Sequence, residues 1–364
     1  MPQMEYRCLG ESTLKVSALS LGCRAFGRRD LSVETCKAVV KKALDLGINF
    51  FDTADIYGDG QSEEYLAAAL ARQPRDSYVL ATKGGSQRLG QGTETQNGDP
   101  AFLRKSLDAS LKRLRTDYID LYQFHNPDPA VPLHYTAEAF MRFIEEGRIR
   151  YAGVSNMDRQ ELAEWLRLVP GTVSIQLSYS LLDRARVDAV FSSGHDRKVS
   201  LIAWAPLFTG FLVNPPPLPQ NERSGFYSML TMEFVEKAHR VCSLVREMAA
   251  DYWTKPSTIA LAYVLNRLEV GTVPVGTTSP IHLQENLRAL EVSISSRDLR
   301  QLDEAAAAVP PPEIFSIMEV SDVLDGGRVA VLPLGLKVRV PGKVSPKDRI
   351  EVNLWDGRVR EGLM

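Results

Sequence analysis

Short apolar runs alternate along this chain with longer runs in which apolar residues return at helical spacing. The apolar runs predict strands over Leu19–Cys23, Asn49–Asp52, Tyr78–Lys83, Ile119–His125, Ile149–Val154, Val173–Ser178, Ser200–Trp204 and Gly271–Val275. The intervening periodicity predicts helices over Val33–Leu46, Ser62–Leu70, Ala101–Arg113, Tyr135–Glu146, Arg159–Leu168, Arg184–Phe191 and Glu233–Arg267, with Pro280–Leu290 after the last strand. Pro256 divides the longest of these into two, because proline lacks the helical donor and clashes with the preceding turn. Apolar cores such as Val79-Leu80-Ala81-Thr82 suit strands covered on both faces. Eight strands alternating with helices predict an α/β protein with a parallel sheet, and eight units favour a closed (β/α)8 TIM barrel over an open doubly wound sheet. No Gly-x-Gly-x-x-Gly follows the first strand, which counts against the open dinucleotide-binding fold.

Two segments fall outside this count. Residues 5–19 read as two short strands around a Gly10-Glu11-Ser12 turn, an N-terminal β-hairpin placed to plug the barrel floor. After Val309-Pro310-Pro311-Pro312 the pattern changes, and short strands are expected over Arg328–Leu332, Leu336–Val340 and Ile350–Leu354. The expected division is therefore a barrel over 1–310 and a short β-rich C-terminal extension over 311–364. The Pro-rich run Asn214–Gln220 is expected to be a loop on the active-site face.

Composition narrows the function. Among 364 residues, 44% are hydrophobic and 24% charged, which permits a large core. A net charge of −2 without a long basic run argues against nucleic acid as partner and leaves a small uncharged or anionic substrate open. Cys8, Cys23, Cys36 and Cys242 are scattered, so they are expected as reduced thiols of a cytoplasmic protein and not as a metal site. No metal, signal peptide or membrane span is expected.

In an α/β barrel, chemistry comes from the C-terminal strand ends and the loops after them. Here the second strand ends at Asp52 with Tyr57 in the following loop, the third ends at Lys83 and the fourth at His125. Carbonyl reduction needs a proton donor at oxygen while hydride arrives at carbon. A tyrosine near its ordinary pKa of about 10 is a poor donor and acceptor at neutral pH. An adjacent ammonium lowers that pKa, and a carboxylate holds the ammonium in place. Tyr57, Lys83 and Asp52 supply those parts, and His125 is placed to orient the substrate oxygen.

The runs Phe51–Leu66 (FDTADIYGDGQSEEYL), Ala81–Gly85, Asp117–Pro129, Gly147–Asn156 and Val273–Leu287 resemble those of the aldo-keto reductase superfamily, and most closely the branch holding sugar dehydrogenases and potassium-channel β subunits. The resemblance covers roughly residues 4–308. It implies a catalytic tetrad of Asp52, Tyr57, Lys83 and His125, with Tyr57 the general acid in reduction and the base in oxidation. It also implies a nicotinamide cofactor, NADP(H) or alternatively NAD(H). Ser155, Asn156 and Gln176 would hold its carboxamide, Trp204 would stack on the ring, and Ala205, Pro206 and Leu207 would continue that wall. Gly276, Thr277 and Thr278 would meet its phosphates at a helix start, with His282 beside them, and Glu285 and Asn286 would contact adenine. Two departures stand out. Many relatives carry an arginine where Thr278 or His282 stands, and it binds the 2′-phosphate of NADP. Arg24 follows Gly22 and Cys23 where relatives usually have a neutral residue, and it would lie near the substrate or the pyrophosphate.

The function implied is an NAD(P)-dependent oxidoreductase, of the alcohol dehydrogenase type, acting on a carbonyl or alcohol of a small substrate such as a sugar, aldehyde or ketone. Two alternatives carry different tests: a nicotinamide-binding redox-sensing or regulatory subunit, and a biosynthetic sugar-modifying enzyme using transient oxidation. A homo-oligomer stays open.

Overall fold

The structure is a computed structural model, and it describes residues 3–90, 93–192, 198–313, 315–332, 337–340, 342–353 and 359. Its centre is a closed barrel of eight parallel strands: β3 (Leu19–Gly22), β4 (Phe50–Asp52), β5 (Val79–Gly84), β8 (Ile119–Phe124), β9 (Ile149–Ser155), β10 (Thr172–Ser178), β11 (Ser200–Trp204) and β12 (Val270–Gly276). β12 pairs back onto β3 with Gly276 opposite Gly22, which closes the ring.

The helices follow from apolar stripes and capping residues. α1 (Val33–Asp45) starts on the Ser32 hydroxyl, which accepts from Thr35 N–H. α2 (Gln61–Leu70), α3 (Pro100–Leu114), α4 (Leu133–Glu145), α5 (Arg159–Leu168) and α6 (Ala185–Phe191) complete the first six units. α5 carries a full capping box between Asp158 and Glu161. The long interval holds two helices, α7 (Met232–Asp251) and α8 (Pro256–Leu265), divided at the expected proline. α9 (Pro280–Asn286) follows β12, and α10 (Ser296–Ala307), a helix outside the sequence expectation, packs on α7.

Side chains inside the barrel alternate with those facing the helices. Tyr122 and Phe124 of β8 point outward to Phe140, Phe143 and Trp165. Leu121 points inward to Phe50, Ala81, Val173 and Ile202. Leu9, Leu14 and Val16 of the N-terminal hairpin, β1 (Tyr6–Cys8) and β2 (Lys15–Ser17), join this inner cluster. The hairpin therefore closes the floor, tied by Asn49 to Ser17 N–H at 2.7 Å and by Thr272 to Ser17 carbonyl at 2.8 Å. Chemistry is left to the opposite mouth.

The segment after β5 is an antiparallel hairpin, β6 (Ser86–Gly90) and β7 (Thr93–Gln96). After β11, Phe208 and Phe211 are fully buried against Phe234 of α7. The C-terminal strands are β13 (Phe315–Glu319), β14 (Asp322–Leu324), β15 (Val329–Val331), β16 (Lys337–Arg339) and β17 (Arg349–Asn353). Val320, Ala330, Leu332, Val338, Val340, Val344, Ile350 and Val352 form their own buried cluster. Leu336 and Leu354 lie outside the described residues. All four cysteines are free thiols, and among the described residues no helix is long and apolar enough to cross a membrane.

Candidate active site

Asp52 closes β4 and pairs in register with Gly22 and Ala81. Lys83 projects from β5, one strand over. Its Nζ donates to both Asp52 oxygens at 2.9 and 2.8 Å and to the Thr53 carbonyl at 2.8 Å. Both side chains are buried, with 2% and 5% exposure. Gln123 on β8 and Gln176 on β10 add amide donors to the same carboxylate at 3.2 and 3.0 Å. Asp52 is thus the acceptor hub of the barrel mouth, which satisfies a buried charge that would otherwise be costly.

Tyr57 stands above this pair on the loop into α2. Lys83 Nζ lies 5.2 Å from the centre of its ring. His125, one residue past β8 and held by its N–H to the Gly84 carbonyl at 2.9 Å, meets Tyr57 edge-on at 5.9 Å between ring centres. The four residues singled out in the sequence are therefore brought together at one point of the mouth.

The local electrostatics is partly as expected. Burial acts to lower the Lys83 pKa, but the Asp52 carboxylate and the Tyr57 phenol outweigh it, and the ammonium is held above its ordinary value. Burial pushes the Tyr57 phenol up; Lys83 pulls it down, and so does Arg24 to a smaller extent, yet the net direction is upward. The expected lowering of this pKa is present as a pull but does not prevail. Burial, then Lys83 and Arg24, press His125 down to about 3, so its imidazole is neutral at any ordinary pH. A neutral imidazole orients an oxygen by one N–H bond and does not compete with Tyr57 as proton source.

The chain belongs to the aldo/keto reductase family. The family model matches residues 18–307. A probable aldo-keto reductase 1 of Glycine max is 30% identical over 304 residues, which span 82% of this chain and 87% of that one. The uncharacterized oxidoreductase YrpG of Bacillus subtilis (strain 168) is 32% identical over 316 residues, 83% of this chain and 95% of its own. Among solved structures, the holo form of aldo-keto reductase AKR11C1 from Bacillus halodurans superposes with a TM-score of 0.71 at 31% identity, covering 84% of this chain and 97% of that one. The protein is an oxidoreductase by family.

The second group of sequence-selected residues surrounds this centre. Ser155 ends β9 and donates to the Gln176 carbonyl at 3.0 Å. Asn156, with φ of 58°, donates to the His125 carbonyl at 3.2 Å and to Asn126 at 2.9 Å. Gln176 spends its amide N–H on Asp52, and its Oε1 is buried without a partner. A buried, unanswered acceptor beside Ser155 fits the N–H of a carboxamide. Trp204 ends β11 half-buried, opposite Ser178. Beyond it Ala205, Phe208 and Thr209 all have positive φ, a cost of about 1–3 kcal/mol each that clusters at functional loops; Pro206 and Leu207 lie between them.

At the β12 exit, Gly276 is open and Thr277 accepts from Ser279 N–H at 3.1 Å. Ser279 caps α9 through His282 N–H at 3.4 Å. His282 is exposed on the helix start, and Glu285 is ion-paired with Lys255 at 2.6 Å. Thr278 and Asn286 are half-buried beside them. Gln123 and Asp55 were missed in the sequence. Gln123 shares the inward row Leu121, Gln123, His125, and a glutamine in such a row was the available signal. Asp55 receives the Ser106 hydroxyl, and burial first of all raises its pKa to about 7.

Proposed function

We propose that this protein moves a hydride between a nicotinamide nucleotide, NADP(H) or NAD(H), and the carbonyl or alcohol carbon of a small substrate such as a sugar, aldehyde or ketone. The observation that carries the reading is the Lys83 ammonium, clamped by Asp52 and lying under the Tyr57 ring. Such a group has one evident use at a barrel mouth, which is to shift a proton on the phenol above it. When bound, the nucleotide supplies or accepts the hydride. Tyr57 gives its proton to the substrate oxygen in reduction and takes one in oxidation. Lys83 stabilises the phenolate left behind, and Asp52 keeps Lys83 charged. Neutral His125 holds the oxygen in line with the phenol.

The nucleotide would be held by Ser155, Asn156 and the open Oε1 of Gln176 at its carboxamide and by Trp204 at its ring. Residues 205–207 and 276–278 would hold the diphosphate side, with His282, Glu285 and Asn286 toward the adenosine. No arginine stands at Thr278 or His282, so preference for the 2′-phosphate rests on hydroxyls, the imidazole and Lys255. The four free thiols support a reducing, cytoplasmic setting.

The test is a fluorescence titration of the purified protein with NADPH and with NADH, followed by turnover of a small aldehyde by wild type and Tyr57→Phe. The expected result is tight binding of one nucleotide, retained by Tyr57→Phe, and a turnover loss of about 10²–10⁴-fold in that variant. Absence of binding of either nucleotide overturns the reading. Full turnover in Tyr57→Phe overturns the role of the phenol.

A further inference from the structure

Among the described residues, the mouth carries a cation without an ion pair. Arg24 opens the turn Arg24–Gly27 that leaves β3. The start of this turn is pinned by Cys23 N–H to the Asp52 carbonyl at 2.8 Å. Its end lies flush against the segment bearing Tyr57: a Cβ on Gly27 would stand 2.6 Å from Tyr57 C and 2.6 Å from Gly58 N. Phe26 is buried beneath, and the Arg24 side chain is exposed. Three of its neighbours are engaged: Lys83 by Asp52, Arg88 by Asp59 and Glu94, and Arg28 by Asp30. Among the described residues Arg24 makes neither an ion pair nor a hydrogen bond. Its charge nonetheless acts on both Tyr57 and His125. The turn runs from β3 toward Tyr57, the proton-handling end of the site.

Resting on the hydride-transfer reading above, we propose that Arg24 selects substrates that carry an anionic group, a carboxylate or a phosphate, beside the reacting carbonyl. An arginine forks two parallel N–H bonds onto either anion. Holding that anion fixes the carbonyl between Tyr57 and His125. The same chemistry is offered by the diphosphate of the nucleotide, and the experiment separates the two sources.

Arg24→Met and Arg24→Lys are compared with wild type on para-carboxybenzaldehyde and on uncharged para-nitrobenzaldehyde, together with nucleotide titrations. Arg24→Met is expected to raise KM for the carboxylate aldehyde by about 10- to 100-fold and to leave KM for the neutral aldehyde and nucleotide affinity unchanged, while any change in kcat from the lost pull on Tyr57 falls on both aldehydes alike. Arg24→Lys recovers part of the loss, and added salt weakens the wild-type preference. Equal losses on both aldehydes, or weakened nucleotide binding with an unchanged charged-to-neutral ratio, overturn the proposal. Wild-type turnover indifferent to substrate charge overturns it alone. Absence of nucleotide binding in wild type removes the hydride-transfer reading and this proposal with it.

A separate observation concerns the extension, which lies beyond the family match at 307. β16 docks beside β7. The Gln96 side chain accepts from Lys337 N–H and donates to the Lys337 carbonyl, both at 3.3 Å. Lys337 Nζ donates to both oxygens of buried Asp128 at 3.2 and 3.0 Å, and Arg339 donates to the Pro129 carbonyl. The hairpin so gripped reaches the centre: Ser86 receives Asn126 Nδ2 at 3.0 Å, next to His125, and Arg88 donates to the Ile56 carbonyl at 3.1 Å, next to Tyr57. We infer that the described residues of 311–364 form an appended unit that fixes the β6–β7 hairpin over the mouth and so sets which carbonyls enter, with Lys337 as positioning residue. Full-length Lys337→Met is expected to exchange the β6–β7 amides at least several-fold faster than wild type. It is also expected to change the ratio of kcat/KM for bulky over small aldehydes, while Lys337→Arg restores both. Unchanged exchange and an unchanged ratio in Lys337→Met overturn the inference.

Discussion

Lys83→Met separates the energetics of the site from its chemistry. The substitution removes three hydrogen bonds from the ammonium, two to Asp52 and one to the Thr53 carbonyl. Asp52 then remains buried with only the Gln123 and Gln176 amides, at 3.2 and 3.0 Å. Removing one partner of a buried ion pair costs about 3–5 kcal/mol, because the remaining charge stays desolvated. Two amide donors offset part of this, so the expected loss is about 3 kcal/mol, at the lower end. The double variant Asp52→Asn with Lys83→Met leaves no charge behind and keeps similar volumes. It is expected to recover most of that loss. Catalysis behaves otherwise. Burial continues to push the Tyr57 phenol upward once the Lys83 pull is gone, so both variants lose about 10²–10⁴-fold in kcat/KM. Urea midpoints at constant m measure the first effect, and aldehyde turnover measures the second. A single variant as stable as wild type, or a double variant no more stable than the single, refutes the buried-charge argument. Recovery of activity in the double variant refutes the assignment of Lys83 to the proton step.

Asp55 gives a pH signature. Its folded pKa of about 7 stands above an unfolded value near 3.9, so between those values the folded state binds more protons. Stability therefore falls as pH rises from about 4 to about 7, by roughly 2–4 kcal/mol from this group, and Asp55→Asn is expected to flatten that part of the curve. Parallel urea-midpoint curves for the two proteins count against it. Because His125 is held neutral down to about pH 3, the rate profile is expected to show no imidazole limb between about pH 5 and 8; a limb that His125→Gln abolishes contradicts this. Gly27→Ala places a methyl 2.6 Å from the Tyr57 backbone. It is expected to lower kcat at least tenfold and to cost about 1–3 kcal/mol of stability, with nucleotide affinity kept. Wild-type kcat in that variant refutes the close approach.

The barrel was legible because its strands are buried on both faces and its apolar runs are therefore unbroken. The tetrad was legible for the converse reason: Asp52, Lys83 and His125 interrupt such runs at their ends, where polarity needs an explanation. Other elements gave weaker signals. α10 shows only Leu302 and Ala306 fully buried among Arg, Asp, Gln and Glu, so its stripe is faint. The β6–β7 hairpin is built from Ser, Gln, Arg, Thr and Glu and has little apolar face to betray a period of two. What the sequence withheld at the site is of one kind. Asp55 depends on Ser106, 51 residues away; Asp52 depends on Gln176, 124 away; Asp128 depends on Lys337, 209 away.

The same reasoning explains why the sequence alone left Arg24 between a local salt bridge and a contact to an anionic substrate group. With 45 acidic residues in the chain, any exposed arginine has many potential partners, and a local ion pair is the ordinary expectation. Only the placement of the turn against Tyr57 puts it where no described carboxylate follows. Asp52, paired in register with Gly22 two residues before Arg24, already gives both of its oxygens to Lys83. An anionic substrate would complete the charge balance of the mouth without disturbing the pair that works on the phenol.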